Sequence, residues 1–427
     1  MNSLLRIPYA AAWAAVREIA GLVPPGQSKL RRVLSGRSGL LERYEAWAKA
    51  SRDPAKKLLW MHAPSVGEGL QALPVLQLLR ARRPDVQIAY TYYSPSAEQF
   101  AGGLGADFFD YLPFDLAGDA ERAITALRPD ALVYSKLDIW PIITETAAAR
   151  GVGLGVISAT LPAGSQRTGT IGRELLGDAY RALDAVGAIS DRDAERFRQS
   201  GIPASRIQVT GDTRYDQVWE RAKRSSELAI VRSLRSDRPT LVAGSTWPSD
   251  ERRLLPAWRA VRERVARARL VIAPHEISET RILALAAWAR ASGLSAERID
   301  AASPETDVII VDRMGILGDL YANGHAAYVG GGFHGAGLHS VLEPAAFGLP
   351  VLFGPHHAAS PDALPLVVAG GGVEAGNEAA VAATLLRWLE SEAERESAGE
   401  NAKTFVKRGL GAAERSYSLV SDLLDRS

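Results

Sequence analysis

The stretch AAYVGGGFHGAGLHSVLEPAAFG (326–348) decides how the rest of the chain is read. An apolar, strand-like segment runs into Gly330, Gly331 and Gly332, and a helix-like segment carrying His339, Ser340 and Glu343 follows. Glycine lets a backbone come close to a ligand. A helix start offers N–H groups and the positive end of its dipole. Strand, glycine turn and helix make one step of a parallel sheet, and the turn is suited to holding a phosphate beside a sugar.

Working outward, the same step recurs along both halves. LLWMHA (58–63), VQIAYTYY (86–93), ADFFDYLPF (106–114), ALVYSKL (131–137), GLGVISA (153–159) and AVGAIS (185–190) are short apolar runs, mostly alternating with helix-like segments. TLVAGS (240–245), ARLVIAP (268–274), DVIIVD (307–312), AAYVGG (326–331) and PVLFG (350–354) repeat the rhythm. Near-continuous apolar strands at this spacing predict parallel sheets covered on both faces. The fold class is therefore α/β, with two doubly wound, Rossmann-like domains facing a central cleft. The expected pieces are a helix over 1–30, a domain over 31–225 and a second over 226–427, with the last helix a candidate to cross back to the first.

Bulk properties agree with two domains and narrow the chemistry. The chain has 427 residues, 47% of them hydrophobic, too many for one ordinary core. Its net charge of +1 gives no global field for nucleic acid. There is no cysteine, which excludes disulfides, thiolate metal sites and cysteine nucleophiles. No apolar stretch reaches the roughly 20 residues of a spanning helix. IPYAAAWAAV (7–16) is shorter, and residues 1–60 carry 11 Lys or Arg against 4 Asp or Glu. This segment fits an interfacial helix with a basic patch on a membrane surface, or a helix packed on its own domain.

In the first half, His62, Ser65, Gly67 and Glu68 follow the first strand as HAPSVGE, and His62, Ser65 and Gly67 are candidate walls of an acceptor site. Glu68 lies at a helix start, where a carboxylate can take a proton from an attacking hydroxyl or simply cap the helix. Lys136 and Asp138, in SKLDIWP (135–141), end another strand and could meet an anion and a sugar hydroxyl. Tyr92 ends a third and is either a wall of the same site or core packing.

In the second half, Gly244, Ser245 and Thr246 form a possible phosphate nest. It is not a GxxxxGK[ST] loop. His275 follows the next strand as a candidate donor to phosphate or ribose. Arg313, Met314, Gly315 and Ile316 suit a loop lying against a nucleotide base, and Glu343 could hold ribose hydroxyls. The adjacent His356 and His357 lack a spaced set of further ligands, so no metal is expected.

Taken together, HAPSVGE (62–68), IWP (139–141), AGST (243–246), DRMGIL (312–317), YVGGGF (328–333) and LEPAAFGLPVLFGPH (342–356) resemble the 3-deoxy-D-manno-octulosonic acid (Kdo) transferases of lipid A assembly. The resemblance covers roughly residues 30–400. It implies a GT-B fold and an inverting, metal-independent glycosyltransferase. It also implies a CMP-Kdo donor, a lipid A precursor as acceptor, and work at the cytoplasmic face of a bacterial inner membrane without a cofactor. Carried over, Glu68 matches the general base. Ser245, His275, Met314, Gly315, Ile316 and Glu343 match the CMP side. Acceptor binding would fall to the first domain and nucleotide-sugar binding to the second.

The chain departs from the family pattern at several ligand loops. SKLDIWP replaces an ETELWP-like segment, Ala273-Pro274-His275 lacks an arginine, and Trp247 stands where a histidine is usual. Three other readings stay open at this point: a GT-B enzyme with another nucleotide sugar or acceptor, a nucleotide-sugar epimerase or hydrolase of similar architecture, and a non-catalytic membrane-associated binding protein.

Overall fold

The computed structural model describes residues 1–427 apart from Pro25, Gln27, Ala163, Gly164, Gln166, Thr168 and Ser427, and apart from the side chains of Ser3 and Ile171. Two compact units result: Met1–Gln217 together with the chain from Leu410 onward, and Val218–Gly409. The division falls at 217/218 rather than at the expected 225/226, and the first unit includes both the N-terminal helix and the last one.

The first unit is built on a parallel sheet of β1 (Lys57–His62), β2 (Val86–Tyr92), β3 (Phe108–Tyr111), β4 (Ala131–Ser135), β5 (Gly153–Ala159), β6 (Ala185–Ala188) and β7 (Ile207–Val209). Their order is β3-β2-β1-β4-β5-β6-β7. Leu58, Leu59, Trp60 and Met61 of β1 are all buried, as a strand between two helical layers requires. The last helix, Ala412–Arg426, lays Leu419, Val420, Leu423 and Leu424 into this same core. Asp216 holds its start, accepting from the N–H groups of Gly411 (2.8 Å) and Ala413 (3.0 Å).

The second unit repeats the plan with β8 (Thr240–Thr246), β9 (Arg269–Pro274), β10 (Ala296–Arg298), β11 (Val308–Ile310), β12 (Ala326–Val329), β13 (Val351–Phe353) and β14 (Gly372–Glu374). Their order is β10-β11-β9-β8-β12-β13-β14, again all parallel. Three strands, β7, β10 and β14, have no counterpart among the apolar runs of the sequence. Each is a three-residue edge strand with partly exposed side chains, so no hydrophobic run announces it.

The N-terminal helix, Ser3–Leu22, packs on the first unit through one face. The Trp13 ring sits 5.3 Å from Trp140 and 6.1 Å from Phe114. The Tyr9 hydroxyl donates to Asp115 at 2.7 Å. The opposite face leaves Leu4, Ile7, Ile19 and Leu22 exposed. No helix among the described residues is long and apolar enough to cross a membrane.

Candidate active site

Each sheet reverses its strand order once beside its first strand. In the first unit the chain runs from β1 through β2 to β3 and returns as β4 on the other side of β1; in the second, β12 returns beside β8. Loops leaving the carboxyl ends of strands at such a reversal part from each other and leave a crevice. Most residues singled out in the sequence fall on these loops.

At the first reversal, Ser65 caps the helix Val66–Arg82, accepting from the Gly67 N–H at 3.2 Å. The same hydroxyl donates to one oxygen of Glu68, in the first turn. Lys136 Nζ reaches the other oxygen at 3.2 Å. Lys136 itself leaves β4 in the left-handed region (φ 66°), a conformation that costs a non-glycine residue about 1 kcal/mol. Burial pushes the half-buried Glu68 carboxyl up, but the Ser65 hydrogen bond and the Lys136 charge outweigh it and hold the group below its ordinary value. Glu68 therefore stands in the first helical turn behind the Ser65 cap, its two oxygens held by Ser65 and Lys136.

Next to it, a relay fixes Asp138. Trp60 Nε1 donates to Thr91 Oγ1 at 2.9 Å, Thr91 Oγ1 lies 3.0 Å from His62 Nδ1, and His62 Nε2 lies 3.1 Å from Asp138 Oδ2. With the Thr91 hydroxyl donating to Nδ1, the Nε2–H donates to Asp138. Trp140 Nε1 donates to the same oxygen at 3.0 Å. Burial raises the Asp138 carboxyl, and His62, Trp140 and Arg167 outweigh it, leaving it lowered.

Two expectations on this side need correction. His62 has no accessible surface, so it cannot touch a ligand and acts by holding Asp138. Tyr92 is buried with its ring 4.6 Å from that of Tyr111, because the two residues are register partners on β2 and β3 and share one face of the sheet.

At the second reversal the glycine run is a knot of backbone. A side chain at Gly330 would sit 2.2 Å from the Ser245 carbonyl, one at Gly331 2.1 Å from the Gly337 carbonyl, and one at Gly332 2.4 Å from the Gly354 nitrogen. The Gly330 N–H bonds Gly244 O at 2.8 Å, and the Gly331 N–H bonds Asp250 at 2.8 Å. These two amides were expected to face a ligand and instead serve the fold. Gly331 and Gly332 are buried for the same reason. Gly244 is likewise packed, under the Tyr321 hydroxyl and Leu317. Thr246 is buried and donates to Glu251 at 2.8 Å, so its hydroxyl proton also points inward.

What remains accessible in the second unit is Ser245, His275, His339, Ser340, Glu343 and the loop Arg313, Met314, Gly315 and Ile316. Ser245 is held left-handed (φ 54°) at the end of β8. Four rings form a continuous stack: His334 lies 3.9 Å from Trp247 with planes 4° apart, Trp247 lies 4.3 Å from His275, and His275 lies 4.6 Å from His339. Burial and the neighbouring His275 hold the His339 imidazole below its ordinary value. Desolvation raises the Glu343 carboxyl against the pull of Arg221. Arg313 pairs with Asp300 at 3.0 Å, and Met314 stands exposed. Among the described residues, no group of three His, Cys, Asp or Glu side chains is placed to hold a metal.

Sequence reasoning missed three side chains that organise these loops. Arg221 donates to the Gly315 carbonyl at 2.6 Å and grips Asp319 at 3.0 and 2.7 Å. Asp250 and Glu251 hold the glycine loop and Thr246. Only a local signal existed, an acidic pair in the first turn of the helix Pro248–Arg264.

Comparison with known proteins places this architecture. A family model described as 3-Deoxy-D-manno-octulosonic-acid transferase (kdotransferase) matches residues 38–217. A 3-deoxy-D-manno-octulosonic acid transferase from Bordetella pertussis is 30% identical over 386 residues, covering 87% of this chain and 88% of the relative. One from Haemophilus influenzae is 27% identical over 398 residues, 92% of each. The crystal structure of a UDP-GlcNAc 2-epimerase from Neisseria meningitidis, bound to UDP-GlcNAc, matches with a TM-score of 0.61 at 14% identity, covering 87% of this chain and 100% of that one. The shared feature there is the fold, two parallel-sheet α/β units of the GT-B type. Similarity to the transferases extends through both units, and the chain belongs to the 3-deoxy-D-manno-octulosonic acid transferase family: it is a glycosyltransferase that transfers Kdo.

Proposed function

We propose that the donor is CMP-Kdo, that the acceptor is a hydroxyl of a lipid A precursor, and that Glu68 is the general base. The Glu68 carboxylate carries this reading, held ionised at a strand end by Ser65 and Lys136. The acceptor O–H gives its proton to Glu68. Its oxygen forms the new bond to the anomeric carbon from the face opposite CMP, and the bond to the CMP phosphate breaks with its electron pair leaving on the phosphate. Asp138, steadied by His62 and Trp140, orients a second acceptor hydroxyl. Ser245, His275 and His339 serve the departing phosphate, and Glu343 serves the ribose. No metal or cofactor enters this scheme.

An acylated acceptor agrees with two further features. A cavity of about 830 Å³ borders Asp138, lined by Tyr9, Trp140, Leu175 and Leu176 among others. The N-terminal helix turns Leu4, Ile7, Ile19 and Leu22 outward, near Leu30 and the exposed Lys29, Arg31 and Arg32 of the next helix. An apolar face flanked by cations suits the surface of an anionic membrane.

The test is transfer from CMP-Kdo, generated in situ, to a tetraacylated lipid A precursor, read by mass spectrometry. A product heavier by one or more Kdo units is expected. An unchanged acceptor, with CMP release no faster than without protein, would overturn the assignment of both substrates.

A further inference from the structure

Asp250 is a carboxylate with no accessible surface and no ion-pair partner among the described residues. Four neutral donors surround it instead. Oδ2 accepts from the N–H of Trp247 at 2.9 Å and of Gly331 at 2.8 Å; Oδ1 accepts from the N–H of Phe333 at 3.0 Å and the hydroxyl of Tyr328 at 3.2 Å. A buried carboxylate is tolerable only when its lone pairs are met in this way, and its place in the first turn of a helix adds the favourable dipole.

The consequence reaches beyond the helix cap. Two of the four donors are backbone amides of the loop after β12, more than 80 residues away in sequence. That loop delivers His334 onto Trp247, whose own N–H is also bound to Asp250. Trp247 in turn stacks on His275, and His275 meets His339. Gly330 meanwhile leaves no space beside the Ser245 carbonyl. One carboxylate thus joins the ends of β8 and β12 and, through the ring stack, the end of β9.

We propose that Asp250 is a positioning residue for donor binding: it sets where Ser245, His275 and His339 stand without itself touching the nucleotide sugar. The proposal rests on the donor assignment made above. The geometry makes the carboxylate specific, because an amide at this position would aim its N–H₂ at the N–H groups of Trp247 and Gly331 in one orientation and at the N–H of Phe333 in the other.

The experiment compares the unaltered protein with Asp250→Asn and with Tyr328→Phe, which removes only the longest of the four bonds. CMP affinity is measured by calorimetry, the KM of donor and acceptor separately, and the ring resonances of His275, His334 and His339 by NMR. Asp250→Asn is expected to weaken CMP roughly tenfold while the acceptor KM stays unchanged, and to move all three ring signals. Tyr328→Phe should move the same quantities less, in the same direction. Unchanged CMP affinity in a folded Asp250→Asn protein, or equal changes in both KM values, would overturn the proposal. If Asp250→Asn does not fold, Tyr328→Phe decides, and unshifted ring signals there overturn it. Failure of the unaltered protein to bind CMP would instead strike the donor assignment, with the ring signals still reporting on Asp250.

Discussion

Lys136 Nζ lies 3.2 Å from Glu68 Oε1, an ion pair that ties the end of β4 to the first helical turn after β1. The two strands are neighbours in the sheet, with His62 paired in register to Tyr134. The pair therefore spans the point at which the sheet reverses its strand order.

Replacing Lys136 by Met removes the cation that, with Ser65, holds the Glu68 carboxyl down. The carboxyl then rises. A base must be deprotonated to act, so the acid limb of kcat/KM against pH should move to higher pH in the variant. An acid limb that stays in place, with both proteins turning over, would separate Lys136 from the base.

Glu68→Gln keeps the size of the side chain and its acceptance from Ser65 but cannot take a proton. Transfer should fall by a factor of about 10² to 10⁴, with the circular dichroism unchanged and CMP binding retained. Near-normal turnover would remove Glu68 from its role.

Much of this arrangement was legible because each motif sits where a buried parallel strand meets a helix, and that junction has a local signature. HAPSVGE declared the end of β1 and the acid at Glu68 in the helix start within seven residues. AGST and YVGGGF likewise marked the ends of β8 and β12. The direction of the groups was not legible. The glycines at 330–332 read as room for a ligand and are filled by backbone from residues 245, 337 and 354. His62 and Tyr92 read as site walls and face inward, since period-two alternation tells which faces a strand has but not which helices cover them. The distant partners of Asp250 and Arg221 lie 78 to 98 residues away, beyond any local pattern.

Asp115 predicts a pH dependence of stability. Burial lifts its carboxyl from 3.8 to about 6, although Tyr9 and the N–H groups of Ile143 and Ile142 donate to it. A raised carboxyl binds its proton more tightly in the folded state. The associated stability is present below pH 3.8 and lost as pH rises through about 6. Relative to Asp115→Asn, which cannot titrate, the protein should lose unfolding free energy across that window, with a slope of at most about 1.4 kcal/mol per pH unit. Urea unfolding at several pH values measures the difference, and parallel curves would contradict it.

Two glycine substitutions should separate close contact from backbone strain. Gly330→Ala puts a methyl group 2.2 Å from the Ser245 carbonyl, with the backbone of Thr246 behind it. Backbone must move, and a loss of about 3 kcal/mol is expected. Gly315→Ala meets nothing within 4 Å but keeps a left-handed φ of 89°, which costs about 1 kcal/mol. Thermal unfolding ranks the pair, and a larger drop for Gly315→Ala would reverse the account of the glycine knot.

The outer face of the N-terminal helix yields the last prediction. Leu4 is 81% exposed, Ile7 77%, Leu22 83%, and Leu30 in the following helix 68%. Inserting even part of four such side chains into lipid contributes several times the roughly 1.5 kcal/mol or more of one buried side chain. Changing all four to Ser should weaken binding to vesicles containing anionic lipid by roughly a hundredfold or more. The Trp13 face is untouched, so stability should move by no more than about 0.5 kcal/mol per substitution. Adding salt should weaken the residual binding through Lys29, Arg31 and Arg32. Equal vesicle binding by both proteins, at equal stability, would leave the exposed face without a role at a membrane and return the helix to a purely structural part of the first unit.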